Sequence, residues 1–265
     1  MTRFVCLTSL PLLFSLLGVA QQPPVSKDPN AIAIIQQSLS AMGGGQNFTD
    51  VQATGTTTLY GDTGNQSYPI TLMATGRTNI RTTVQHENGP RVYVTDGTTA
   101  CVDGAMAQNI SDMQFDMYAR RIDFVPVLSL LREYGADNMQ VQYAGSATVG
   151  SSTVDVVALS FMPTAAPPGF NGYAATQRLF YIDRATLLVT KMQFVTVIDS
   201  GAVQGPTTEI YFSQYQMIGG FAVPMLQSTY ADGRLAQDLA LDSASFNSGL
   251  DASNFAMNCG VTSAN

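Results

Sequence analysis

Residues 181–194 read YIDRATLLVTKMQF, 208–230 read TEIYFSQYQMIGGFAVPMLQSTY and 231–246 read ADGRLAQDLALDSASF. This stretch decides the fold. Short runs of alternating apolar and polar residues are broken by turn chemistry at Asp183-Arg184-Ala185-Thr186, Gly219-Gly220 and Asp232-Gly233. Asp-Gly suits a type I′ turn, whose two central residues need positive φ, so it signals a tight hairpin. Three or four consecutive antiparallel strands follow, and together they make part of one large curved sheet. Nothing in them has the pattern of a catalytic centre.

Working toward the N-terminus, the same period of two recurs in Thr-rich runs at 54–59, 70–75, 79–84, 91–95 and 98–102, and again at 139–144, 153–161 and 178–182. Alternation of this kind predicts antiparallel strands with one wet and one buried face. Ahead of them, Asp28-Pro29 offers an N-cap and a first helical residue, and Ile32, Ile35, Leu39 and Met42 form one apolar stripe. Gly43-Gly44-Gly45 stops that helix, which docks on the sheet by one face. Residues 111–134 interrupt the β pattern with two short helices, the second starting at Pro126, and a further helical turn is expected near 251–255. The fold class is mainly β (α+β): a large curved antiparallel sheet forming an unclosed or half β-barrel, with an N-terminal docking helix and a mid-chain helical lid over its mouth. So many antiparallel strands in one sheet tend to curl or close.

The chain opens with Arg3, an apolar run from Leu7 to Val19 and small residues at Gly18-Val19-Ala20. This is the pattern of a secretory signal peptide cleaved after Ala20, and too short for a membrane span. The expected organisation is a signal peptide at 1–20, a mobile leader at 21–27 and a single domain at 28–265, with the lid at 111–134. No cysteine follows the apolar run where a lipid anchor would need one. Of the three cysteines, Cys6 leaves with the signal, so Cys101 and Cys259 could form one disulfide in an oxidising compartment. Charged residues make up 12% of the chain and the net charge is −7. An acidic chain with few and scattered cations is a poor partner for nucleic acid or anionic membrane. No later stretch reaches the length of a transmembrane helix.

The opening AIIQQSLSAMGGG (33–45) leading into VQATGTTTL (51–59), the YIDRATLLVTKMQF hairpin and the FSQYQMIGGFAVPMLQSTYADGRL meander (212–235) carry a family likeness. The chain resembles the outer-membrane lipoprotein-sorting superfamily, the LolA- and LolB-like carriers and the LppX/LprG-type lipid-carrying lipoproteins. The resemblance spans most of the chain after the signal. It implies a soluble carrier in the periplasm or outside the cell, with an apolar cavity between sheet and lid for a lipid or an acylated protein. These motifs mark a fold and transfer no individual ligand contact.

Reaction chemistry finds little support. His86 is the only histidine, and no G-x-S-x-G elbow accompanies it. One histidine and two separated cysteines cannot make a zinc set, and the aspartates at 103, 112, 116 and 123 lack calcium-loop spacing. Glu87, Glu133 and Glu209, the only glutamates, read as outward-facing residues rather than a glycosidase pair. The expectation is a non-enzyme with no cofactor and no metal. Candidate cavity and lid residues are Met113, Phe115, Met117, Phe124, Leu128 and Leu131 in the lid, with Leu72, Met192 and Phe194 on the sheet. Flexible, polarizable Met suits a surface that accepts varied apolar ligands. Arg120 and Arg121, at the lid's rim, could hold a phosphate or carboxylate headgroup through their paired donors. The alternative to a lipid carrier is a scaffold or envelope-signalling module that binds a polypeptide and has no cavity.

Overall fold

The structure is a computed structural model that describes residues 25–75, 79–95, 100–102, 105–107, 124–162, 172–198 and 203–256. The signal peptide, the first half of the lid with Met113, Phe115, Met117, Arg120 and Arg121, and Cys259 lie outside the described residues, as does the Leu131 side chain.

In chain order the elements are α1 (Pro29–Ala41), β1 (Asp50–Gly61), β2 (Gly64–Thr75), β3 (Asn79–His86), β4 (Gly89–Thr95), β5 (Ala100–Val102) and β6 (Ala105–Ala107). Then come α2 (Pro126–Glu133), β7 (Met139–Val149), β8 (Ser152–Phe161), α3 (Gly172–Thr176), β9 (Arg178–Asp183) and β10 (Val189–Ile198). The chain continues through β11 (Val203–Ile218), β12 (Phe221–Ala231), β13 (Arg234–Phe246) and a 3₁₀ turn, Ala252–Phe255. All 13 described strands lie in one sheet, in the order β6-β5-β4-β3-β2-β1-β13-β12-β11-β10-β9-β8-β7. Two meanders therefore meet at a single seam, where β1 pairs antiparallel with β13. The sheet is an unclosed barrel, as its length and alternation predict.

Turn residues behave as their chemistry requires. Asp232 and Gly233 both adopt positive φ (48° and 76°) between β12 and β13. The Asp183 carboxylate accepts from the backbone N–H groups of Ala185 and Thr186, each at 2.8 Å, and closes the β9–β10 turn. Register shifts at Thr54/Gly55, Tyr143/Gly145, Val189/Lys191 and Thr229/Tyr230 bend the strands, because an extra residue on one side raises local twist. At the seam, Gly55 approaches Ala240 so closely that a Cβ would stand 2.2 Å from its carbonyl oxygen.

Helix α1 crosses the inner face. Asp28 caps it, accepting from Asn30 N–H at 2.8 Å. Ala31, Ile35, Leu39 and Met42 are buried, whereas Ile32, expected in the stripe, is only half-buried at its flank. Its N-terminal end is tied to the edge strand β7: Asp28 N–H donates to Val141 O (2.8 Å) and Val141 N–H to Ser26 O (2.9 Å). Lys27 forms a short parallel bridge with Val141. Covering an edge strand this way removes a template for aggregation. At the other end, Ala222 N–H donates to Met42 O (3.0 Å), and Gly43 lies against Gly220.

One apolar cluster on the inner face runs from Ile80 of β3 to Val141 of β7 and includes both α1 and α2. A smaller one sits on the opposite face. There the register aligns Met73, Arg81, Val94 and Cys101 in a row across β2 to β5. Leu250 and Phe255, from the segment that follows β13, pack on Val94 and Cys101 of this row. That segment is fastened by Asp50, which accepts from Ser248 N–H (2.8 Å), Ser248 Oγ (2.7 Å), Gly249 N–H (3.1 Å) and Thr49 Oγ1 (3.0 Å).

Candidate functional site

The described half of the lid is not a surface cover. Phe124, Val125, Val127, Leu128 and Leu130 are each at most 2% exposed, and Ser129 is also buried. Helix α2 therefore presents apolar side chains around most of its circumference, the signature of a helix sunk into a core. Pro126 starts it, as its missing N–H and fixed φ favour. The helix packs against α1 and β12.

Two polar side chains of the sheet fasten α2 at its ends. Gln227 of β12, itself buried, donates from Nε2 to the carbonyl of Phe124 at 2.7 Å. Arg178 of β9, 3% exposed, forms an ion pair with Glu133 at the helix's C-terminal end. Burying an amide or a guanidinium is costly without a partner, so each contact is a condition for α2 to stay seated. Glu133 is accordingly a fastener and not the outward-facing residue its sequence neighbours suggest. Its partner lies 45 residues away, and no local pattern announces the pair.

Of the candidate cavity residues, Phe124, Leu128, Leu72 and Met192 are brought together in the inner cluster, and half-buried Phe194 packs against it. Tyr215 closes one side of this region. Its hydroxyl donates to Val189 O at 2.6 Å, and burial pushes its pKa far above the usual tyrosine value.

The opposite face carries a separate polar-aromatic group. Lys191 lies over the Tyr181 ring at 4.5 Å and near the Tyr211 ring at 5.5 Å, and pairs with Glu209 at 2.5 Å. Burial works against the Lys191 ammonium, but Glu209 and the tyrosines outweigh it and raise its pKa. Glu209, expected to face water, is thus engaged across the strand pair, on the diagonal from Lys191. Among the described residues no three of His, Cys, Asp and Glu gather into a metal-binding group. Cys101 is disulfide-bonded, and its partner lies outside the described residues. No described helix is long and apolar enough to cross a membrane.

This geometry has close parallels among solved structures. A domain from Vibrio parahaemolyticus, described as outer membrane lipoprotein-sorting, aligns with 86% of this chain and 96% of its own at a TM-score of 0.55 and 12% identity. The chain has the lipoprotein-sorting fold. A LolA superfamily protein from Nitrosomonas europaea matches at 0.55 over 84% of this chain and 97% of that one, again at 12% identity. A DUF1329 family protein from Desulfovibrio piger matches at 0.53, with 8% identity over 86% and 96%. No family model and no curated protein matches the sequence itself. In the lipoprotein-sorting fold seen here, α1 and α2 both lie on the inner face of the unclosed sheet.

Proposed function

We propose that the protein is a secreted or periplasmic carrier that shields an acyl chain, a lipid or a lipid-modified protein against the inner face of its sheet, and that it is not an enzyme. In this reading α2 fills the inner face when no ligand is bound and gives way to the ligand on loading. The supporting observation is the combination of a helix buried on nearly all sides and fastened by side chains from β9 and β12, on a sheet whose ends are not joined.

The energies are compatible with reversible exchange. Burying five large apolar side chains contributes roughly 8–15 kcal/mol at about 1.5–3 kcal/mol each. A chain of about 15 methylenes contributes about 12 kcal/mol at ~0.8 kcal/mol per methylene. Replacing one by the other leaves a small difference, which is what a carrier needs in order both to load and to unload.

Mass spectrometry of an organic extract tests the reading, using protein purified without detergent from its native envelope. A stoichiometric acyl lipid is the expected result. A lipid-free extract, with no uptake of a fluorescent fatty acid, overturns it and favours the polypeptide-binding alternative.

A further inference from the structure

A line of tyrosines crosses the outer face of the sheet from β9 to the seam. The register puts Tyr181, Lys191, Tyr211, Ser228, Asp238 and Thr58 in one row across β9 to β1. Gln193, Glu209 and Tyr230 form the row beside it. Tyr60, two residues beyond Thr58 on β1, turns its hydroxyl back to donate to Asp238 Oδ2 at 2.7 Å. We propose that this face binds a neutral oligosaccharide, laid across the strands with its sugar rings against the tyrosines.

The alternation of the strands fixes which way these side chains point. Their chain neighbours Phe180, Met192, Phe212 and Leu239 belong to the inner cluster, so both rows face outward. All four tyrosines are half-buried, which leaves part of each within reach of solvent. From β9 to β1 there are five strand steps of about 4.8 Å, so the line is roughly 24 Å long. The polar groups among the rings are already held in place. Tyr181 donates from its hydroxyl to Gln193 Oε1 at 2.9 Å. Lys191 lies 4.5 Å from the Tyr181 ring centre and pairs with Glu209 at 2.5 Å. The Tyr211 and Tyr230 rings meet edge to face at 5.4 Å. Side chains fixed in this way lose little freedom when a ligand arrives.

The chemistry of the rows selects the ligand. A sugar offers thin apolar C–H faces that lie on aromatic rings, and an edge of hydroxyls that both donate and accept. Ring faces here alternate with an amide, carboxylates and hydroxyls. The centre of a polypeptide interface is depleted in charge, whereas Lys191, Glu209 and Asp238 stand among these rings. Within the two rows the one cation, Lys191, is paired with Glu209, and Asp238 leaves the rows net negative. An acidic glycan or a phosphate therefore finds no free counter-charge there, which restricts the class to neutral sugars. Asp238 gives a second pointer. Its Oδ2 accepts from Tyr60, but its buried Oδ1 has no partner among the described residues. An unpaired buried acceptor is costly, and a ligand hydroxyl entering between Tyr60 and Tyr230 supplies the donor. The proposal uses neither α2 nor the inner face, and stands or falls independently of the carrier reading.

Isothermal calorimetry and ¹H–¹³C aromatic spectra of the full chain test it. Cellohexaose, chitohexaose and maltohexaose are the neutral probes, and hexagalacturonate is the acidic control. The expected result is saturable binding of at least one neutral probe, with shifts of tyrosine ring signals, and none of the acidic one. Tyr211→Ala should weaken binding about tenfold or more, as loss of a stacked ring does. Tyr211→Phe keeps the ring and should bind nearly as the parent does. Ser228→Lys keeps every ring but lays a long side chain over the row; it should abolish binding, and it serves where Tyr211→Ala does not fold. Absence of saturable binding to all the neutral probes, or equal binding of hexagalacturonate, overturns the proposal. So does unchanged affinity in either Tyr211→Ala or Ser228→Lys, or a Phe variant as weak as the Ala one.

Discussion

Replacing Leu128 by Ala puts the largest demand on this account of α2. Leu128 is wholly buried in the inner cluster, on a helix packed between α1 and β12. Truncation removes the transfer free energy of the lost carbons and leaves a cavity, together about 2–5 kcal/mol. A value near 3 kcal/mol is expected, since the neighbouring Val127 and Leu130 are equally enclosed. If α2 is what a ligand displaces, that loss falls on the empty state and favours the loaded one. About 3 kcal/mol then corresponds to a rise of roughly a hundredfold in apparent affinity. Urea unfolding measures the first quantity, and titration with a fluorescent fatty acid measures the second. Val94→Ala, in the cluster on the opposite face, serves as a control that lowers stability without touching α2. A loss below about 1 kcal/mol would mean that Leu128 is not core. A full loss with no gain in affinity, or an equal gain in Val94→Ala, would refute displacement.

Three further outcomes follow from named contacts. Burial opposes the Asp50 carboxylate, but the hydrogen bonds from Ser248, Gly249 and Thr49 prevail and lower its pKa. Its contribution is therefore present above the unfolded value of about 3.9 and fades as pH falls through the lower folded value. Asp50→Asn should cost about 1–3 kcal/mol at neutral pH and flatten the acid limb of the stability curve measured by thermal melts. Gly43→Ala meets Gly220 O at 1.9 Å with φ at +86°, while Gly45→Ala meets nothing within 4 Å; the first should destabilise by about 2 kcal/mol or more in urea and the second by under about 0.5 kcal/mol. Arg178→Met removes the buried cation that pairs with Glu133 and should cost about 3–5 kcal/mol, whereas adding Glu133→Leu should restore most of it in the same unfolding assay.

Strand by strand, the sheet was legible because its turns are chemically explicit and its runs alternate. Asp232-Gly233 and the Asp183 turn need no tertiary information, and Pro126 announces the start of α2. The seam was not legible. Nothing in the Thr-rich β1 says that its second partner lies almost 190 residues later, because pairing across such a distance is decided by what is left to pair. The role of α2 could have been read more closely: FVPVLSLL, residues 124–131, is apolar on nearly every side, and a helix of that kind is buried rather than laid over a mouth. The Arg178–Glu133 and Lys191–Glu209 pairs carry no local signal, since an ionised residue on a strand or helix end looks solvated until the opposing element is known.

The order of the strands also governs when the protein can first be complete. β6 and β7 are consecutive in the chain yet stand at opposite margins of the sheet, while β1 and β13, nearly the first and last strands made, are neighbours at its middle. β13 is thus a keystone delivered at the end of synthesis. Until it arrives, the N-terminal meander has a bare flank along β1 and the C-terminal meander another along β12. A chain cut short before residue 234 would not be a smaller version of this protein but two ribbons, each offering a long open strand to any neighbour. Export as an extended chain, with folding deferred until the last segment is across, would suit a molecule assembled in this way.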